Sequence, residues 1–298
     1  ETMIGSLPVD MWVNGVPVYS FDAIAMAREH IVVHGPEAAC IREAYPRIRQ
    51  FLKWVRETQV NGDGFITRSE QLPFFGGVGF LDWSLTPCGG RLEELSWLQC
   101  KHVEGLRTAA EVARWLNQPD DAAAWDRQAA ALAARIVERF WRDGVGFVHT
   151  LNQGPHRGNP YLPEKGGHSE QTYREGRGEG PSGASRQCNA LAVLAGIGTP
   201  AMRRTLRERV FNNPAVPPII TAYFAGYEGL ARAQCGDPAG ALAAMSSYIA
   251  GMLETEDAAT LWELYDPAVT DRRRYFSHFE LTWDWPLSLC HGWGSGLV

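Results

Sequence analysis

"RLEELSWLQCKHVEGLRTAAEVARWLNQPDDAAAWDRQAAALAARIVERFW" runs from residue 91 to residue 141 and decides the fold. Its first half predicts a long amphipathic helix over 90–116, because apolar residues return every three or four positions. Pro119, Asp120 and Asp121 then mark a new start. Proline is tolerated at a first helical position, and carboxylates suit the positive end of a helix dipole. The second half continues as a helix to Trp141. Two helices joined by so few residues form an antiparallel hairpin. Abundant alanine lets their backbones approach closely.

The unit recurs along the chain. "YSFDAIAMAREHIVVHG" (19–35) stops at Gly35, and "PEAACIREAYPRIRQFLKWVRETQ" (36–59) answers it. Pro36 is expected near the first position of that second helix, and Pro46 is expected to kink or break it. "ASRQCNALAVLAGI" (184–197) pairs with "PAMRRTLRERVF" (200–211). "PPIITAYFAGYEGLARAQCG" (217–236) pairs with "DPAGALAAMSSYIAGMLE" (237–254), turning at Gly236, Asp237 and Pro238. Strands are few: "GVGFVHTL" (144–151) reads as a short extended piece, and 154–183 as a long polar surface loop. No repeat of roughly 34 or 40 residues recurs, which argues against the common helical solenoids. Long loops follow alternate helices and therefore share one side. The expected fold is all-α, a closed (α/α)6 toroid of hairpins with a site at one mouth.

Composition narrows the partners. The net charge is −6 with both signs interleaved, so no basic face for nucleic acid is expected. No apolar run approaches the roughly 20 residues of a membrane span. "ETMIGSLPVD" (1–10) has neither the basic nor the apolar region of a signal peptide, so a soluble, cytoplasmic location is favoured. The six cysteines are scattered without a Cys-x-x-Cys pair, which points to reduced thiols rather than a disulfide framework or zinc site. Nucleotide-loop, zinc-protease and nucleophile-elbow motifs are missing, so no cofactor is expected and no metal ligands are assigned. "REGRGEGPSG" (174–183), with no strand before it, reads as a flexible loop. Eleven tryptophans are the excess, several of them beside carboxylates in Gly/Pro-rich loops, where flat rings suit stacking on sugars.

The ordered set "FLDWSL" (80–85), "FWRDGVGFVH" (140–149), "SRQCNALAVLAGI" (185–197), "ATLWELYDP" (259–267) and "SLCHGWGSG" (288–296) resembles the six-hairpin catalytic domain of bacterial α-L-rhamnosidases, glycoside hydrolase family 78. The resemblance implies one such domain over 1–298, part of a longer protein, and a carbohydrate substrate. It implies an inverting hydrolysis, in which one carboxylic acid protonates the leaving oxygen and an opposed carboxylate activates water. Glu263 matches the general base; Asp82 and Trp83 match a substrate-binding loop; His291 matches a sugar-contacting histidine; Trp262 and Trp293 complete the expected sugar site.

Two departures stand out. After Asp82 and Trp83 the chain reads Ser-Leu-Thr-Pro, where the family's usual motif continues with glycine. The family's acidic motif, Asp-Cys-Pro-x-Arg-x-Glu-Arg, has no match, and Glu1, Asp10 and Asp22 do not replace it. Another specificity on the same toroid, and an inactive carbohydrate-binding homologue, both stay open. Asn189 is expected to anchor a helix or loop rather than touch sugar.

Overall fold

The computed structural model describes residues 17–67, 95–148, 184–254, 261–262 and 265. Among these, eight helices form four consecutive hairpins. They are α1 (Pro17–His34), α2 (Ala39–Trp54), α3 (Ser96–Trp115), α4 (Pro119–Phe140), α5 (Arg186–Leu194), α6 (Pro200–Leu206), α7 (Ala222–Gln234) and α8 (Pro238–Leu253). A two-stranded antiparallel ribbon, β1 (Trp141–Arg142) and β2 (Gly146–Phe147), follows α4, where the sequence suggests a short extended piece.

The odd-numbered helices line an inner wall. α1 packs on α3, α3 on α5 and α5 on α7, while α4 and α8 lie outside their hairpin partners. Burial separates the two rings. α3 is covered at every position from Ser96 to Val103, whereas α4 hides the stripe Ala122, Trp125, Ala129, Leu132, Ala133, Ile136 and Phe140. A helix enclosed all round belongs to an inner layer; a single stripe at spacings of three and four belongs to an outer one. The fold is the expected all-α toroid of helical hairpins.

Helix ends follow local chemistry. Ser185, Thr199, Thr221 and Asp237 each accept a hydrogen bond from a backbone N–H in the first turn of the helix they precede. Pro119, Pro200 and Pro238 open their helices. Three expectations need correction. Pro36 lies in a turn after Gly35 (φ +83°), and α2 starts only at Ala39. Pro46 does not interrupt α2, because Ile41, Ala44, Tyr45, Ile48, Phe51 and Leu52 form a continuous buried face that offsets the lost backbone bond. The helix expected over 90–116 begins at Ser96, with extended Leu95 before it, and 91–94 lie outside the described residues. The loop at 154–183 lies outside them too.

Connections alternate in length. Short turns at 35–38, 116–118, 195–199 and 235–237 close one end of the hairpins. The long connections gather at the other end, before the first turns of α3, α5 and α7. α2 and α6 reach that end through π-helical turns, Val55–Gln59 and Arg207–Phe211.

Two amides tie these long connections down. Gln99 Oε1 accepts from Ile66 N (2.9 Å) and its Nε2 donates to Ile66 O (3.1 Å). Asn189 repeats the clasp on Phe147, at 2.8 and 3.0 Å, and also donates to Ser185 O at 2.7 Å. Both stand fourth in an inner helix. The anchoring role expected of Asn189 is what its three bonds perform.

Among the described residues no helix is long and apolar enough to cross a membrane. Cys40, Cys100 and Cys235 form no disulfide among the described residues.

Candidate active site

The end that carries the long loops is the mouth, and the chain returns to it after α8. Tyr265 N donates to Ile220 O at 2.8 Å, immediately before α7. The same carbonyl accepts from the Tyr248 hydroxyl at 3.0 Å. Tyr248 and Tyr265 meet edge to face with centroids 5.9 Å apart, and Trp262 and Tyr265 do so at 6.4 Å. Trp262 is only 5 % exposed, so its indole packs into the core. Glu263 lies between these anchored neighbours in the chain and, with Asp82, Trp83, His291 and Trp293, falls outside the described residues.

A cavity of about 430 Å³ opens beside Tyr265, lined by Arg186, Glu228, Ser247, Tyr248 and Glu254 among others. Its lining includes a buried ion pair. Glu228 Oε1 accepts from Arg186 at 2.9 Å and from Arg232 at 2.8 Å, joining the start of α5 to α7. Hydroxyls and a carboxylate–guanidinium pair can exchange hydrogen bonds with a polyol, and the aromatic rings offer it apolar contact. Among the described residues no three His, Cys, Asp or Glu side chains gather where a metal ion could be held.

A second polar centre lies where α1, α3 and α7 converge. Lys101, 1 % exposed, donates to Asp22 Oδ1 at 2.7 Å, pairs with Glu104 at 2.8 Å and reaches the Tyr227 hydroxyl at 3.3 Å. Tyr223 donates to Asp22 Oδ2 at 3.0 Å. Burial opposes the charge on Lys101, but Asp22 and Glu104 outweigh it and hold the ammonium well above its ordinary pKa. Burial, reinforced by Asp22, raises Tyr223 strongly; burial also raises Tyr227, with Lys101 pulling the other way.

Both oxygens of Asp22 are therefore engaged in holding three helices together. That use agrees with the sequence, which gives Asp22 no match to the family's acid motif. Asp22, Tyr223 and Tyr227 also border an open cleft of about 600 Å³ between α1 and α7, together with Met26, Glu29 and His30. Sequence reading passes over Gln99, Lys101, Tyr223 and Tyr227; the one visible signal is a lysine inside the apolar run "SWLQCKHV" (96–103).

The family of the bacterial alpha-L-rhamnosidase 6 hairpin glycosidase domain matches residues 7–159, just over half of the chain. The chain belongs to this family. The fold agrees with that of two rhamnosidases of known structure. A rhamnosidase from Klebsiella oxytoca with rhamnose bound superposes with a TM-score of 0.67 at 20% identity, over 95% of this chain and 46% of that one. A family 78 rhamnosidase from Bacillus sp. GL1 gives a TM-score of 0.67 at 18% identity, over 95% of this chain and 26% of that one. The rhamnosidase-family domain described here thus spans less than half the length of either enzyme. No curated protein matches the chain.

Proposed function

We propose that this rhamnosidase-family chain is the catalytic domain of an inverting glycoside hydrolase. Its substrate is a glycoside or polysaccharide carrying a terminal α-L-rhamnosyl residue. Glu263 is the general base that takes a proton from the attacking water. Asp82 and His291 exchange hydrogen bonds with the sugar hydroxyls, and Trp83 and Trp293 supply flat apolar faces. Trp262, with its ring in the core, backs the pocket wall. Family membership supports the hydrolase reading.

The observation that carries the assignment of the base is the anchoring of Trp262 and Tyr265 at the mouth, which holds the chain on both sides of position 263. A base needs that restraint, because it must meet its water within hydrogen-bond reach. Glu263→Gln tests the proposal. Turnover of an aryl α-L-rhamnoside should fall by about 10²–10⁴-fold, the usual worth of acid–base assistance. Proton NMR of the wild-type reaction should show β-L-rhamnose appearing first, as inversion requires. Near-normal turnover by the variant, or α-L-rhamnose as the first product, refutes it.

A further inference from the structure

We propose that the cavity beside Tyr265 is a second saccharide subsite, which grips a neutral sugar unit of the substrate and takes no part in bond cleavage. The proposal rests on a carbohydrate substrate and is independent of Glu263 being the base.

Glu228 is the first clue. Its side chain, on α7, is only 6% exposed, yet it stands in the cavity wall. The two guanidinium donors that reach it, from Arg186 at 2.9 Å and from Arg232 at 2.8 Å, both land on Oε1. No described residue donates to Oε2, and that oxygen is not sealed from solvent. An ionised carboxylate is an acceptor only, with room for about four hydrogen bonds, and buried polar groups ordinarily find their partners. A pair that served only to tie α5 to α7 would be more stable with that oxygen bonded as well.

The second clue is what surrounds it. Ser247 brings an exposed hydroxyl to the rim, able to donate and to accept. Tyr248 gives its proton to Ile220 O at 3.0 Å, which leaves its own oxygen as an acceptor. The rings of Tyr248 and Tyr265 stand at 84° with centroids 5.9 Å apart, and with Ile219 they form an apolar wall. At about 430 Å³ the cavity falls among ligand sites, which run from roughly 300 to 1,000 Å³.

These groups select by chemistry. An anion would meet Glu228 and Glu254 together, and a cation would compete with Arg186 and Arg232 for one carboxylate. A purely apolar ligand would strip water from Oε2 and return no hydrogen bond. A sugar ring meets all three conditions, with hydroxyls for Glu228, Ser247 and Tyr248 and C–H groups for the tyrosine rings. Ile219 lies just before α7 and Glu254 just after α8, both at the mouth end. A chain bound at the mouth is thus offered a second hold.

The test uses the full chain and two probes: an aryl α-L-rhamnoside, with one sugar, and a linear α-L-rhamnose tetrasaccharide. Ser247→Trp and Ala250→Trp each fill the cavity from an exposed position on α8. Thermal melts check the fold, and either variant decides if the other does not fold. Each should raise KM for the tetrasaccharide about tenfold, the worth of one or two lost hydrogen bonds, with kcat and the aryl rhamnoside kinetics as in the wild type.

An unchanged KM for the tetrasaccharide in both variants overturns the subsite. So does an equal loss on both probes, which would put the effect in the catalytic centre. If the tetrasaccharide is not turned over, calorimetric titration decides: about tenfold weaker binding by Ser247→Trp upholds the subsite, and equal binding or none overturns it. Failure of the wild type to cleave either probe counts against the hydrolase reading, while the titration still judges the subsite.

Discussion

Replacing Lys101 with methionine probes the centre of the toroid with little change of volume. Lys101 is 1 % exposed, and Asp22 and Glu104 both lean on its ammonium at under 3 Å. Removing one partner of a buried ion pair costs about 3–5 kcal/mol, because the remaining charge is left uncompensated. Here two carboxylates would face each other across the space that the ammonium now fills. Their side chains are 25% and 26% exposed, however, so water relieves part of the penalty and the lower end of the range, about 3 kcal/mol, applies. At about 2.1 cal/mol/K of unfolding entropy per residue, that corresponds to a fall in melting temperature of roughly 5 °C for a chain of 298 residues.

Urea denaturation and calorimetry at pH 7 measure the loss directly. Adding Asp22→Asn and Glu104→Gln to Lys101→Met should recover most of it, because an ion cluster replaced as a whole is often close to neutral. A Lys101→Met protein within about 1 kcal/mol of wild type would refute the reasoning, since the cluster would then not be what holds α1, α3 and α7 together.

Two further perturbations follow from buried polar groups. His102 is buried, stacked on Phe21 at 5.5 Å, its Nδ1 without a partner among the described residues, and burial lowers its pKa from 6.5 to about 4. The folded protein therefore prefers the neutral ring. Stability should be complete above pH 6.5 and fall as pH drops toward 4, by up to about 3 kcal/mol, and His102→Phe should flatten that slope in urea melts across the range. A slope identical to wild type in the variant removes His102 as its cause. Asn189→Leu strands the buried N–H and carbonyl of Phe147, and Gln99→Leu does the same to Ile66. Each should cost about 2–4 kcal/mol by chemical denaturation, and a loss below about 0.5 kcal/mol would show that the clasps do not hold the loops.

Helices and hairpins were legible because their causes are local. The stripe from Ala122 to Phe140, the proline starts at 119 and 238 and the stop at Gly35 each depend on neighbours within one or two turns. The same locality misled at Pro36 and Pro46, where a short window cannot weigh the tertiary burial that carries α2 past its proline. The order of motifs was enough to name the family, which the match over 7–159 supports.

What only the tertiary structure decided is which polar residues are buried, and why. Lys101 carried no assignment from the sequence, and its partners Asp22 and Tyr227 stand 79 and 126 residues away. Periodicity records which face of a helix avoids water. It says nothing of which distant charge or ring meets that face, because that is settled only when the hairpins close on one another.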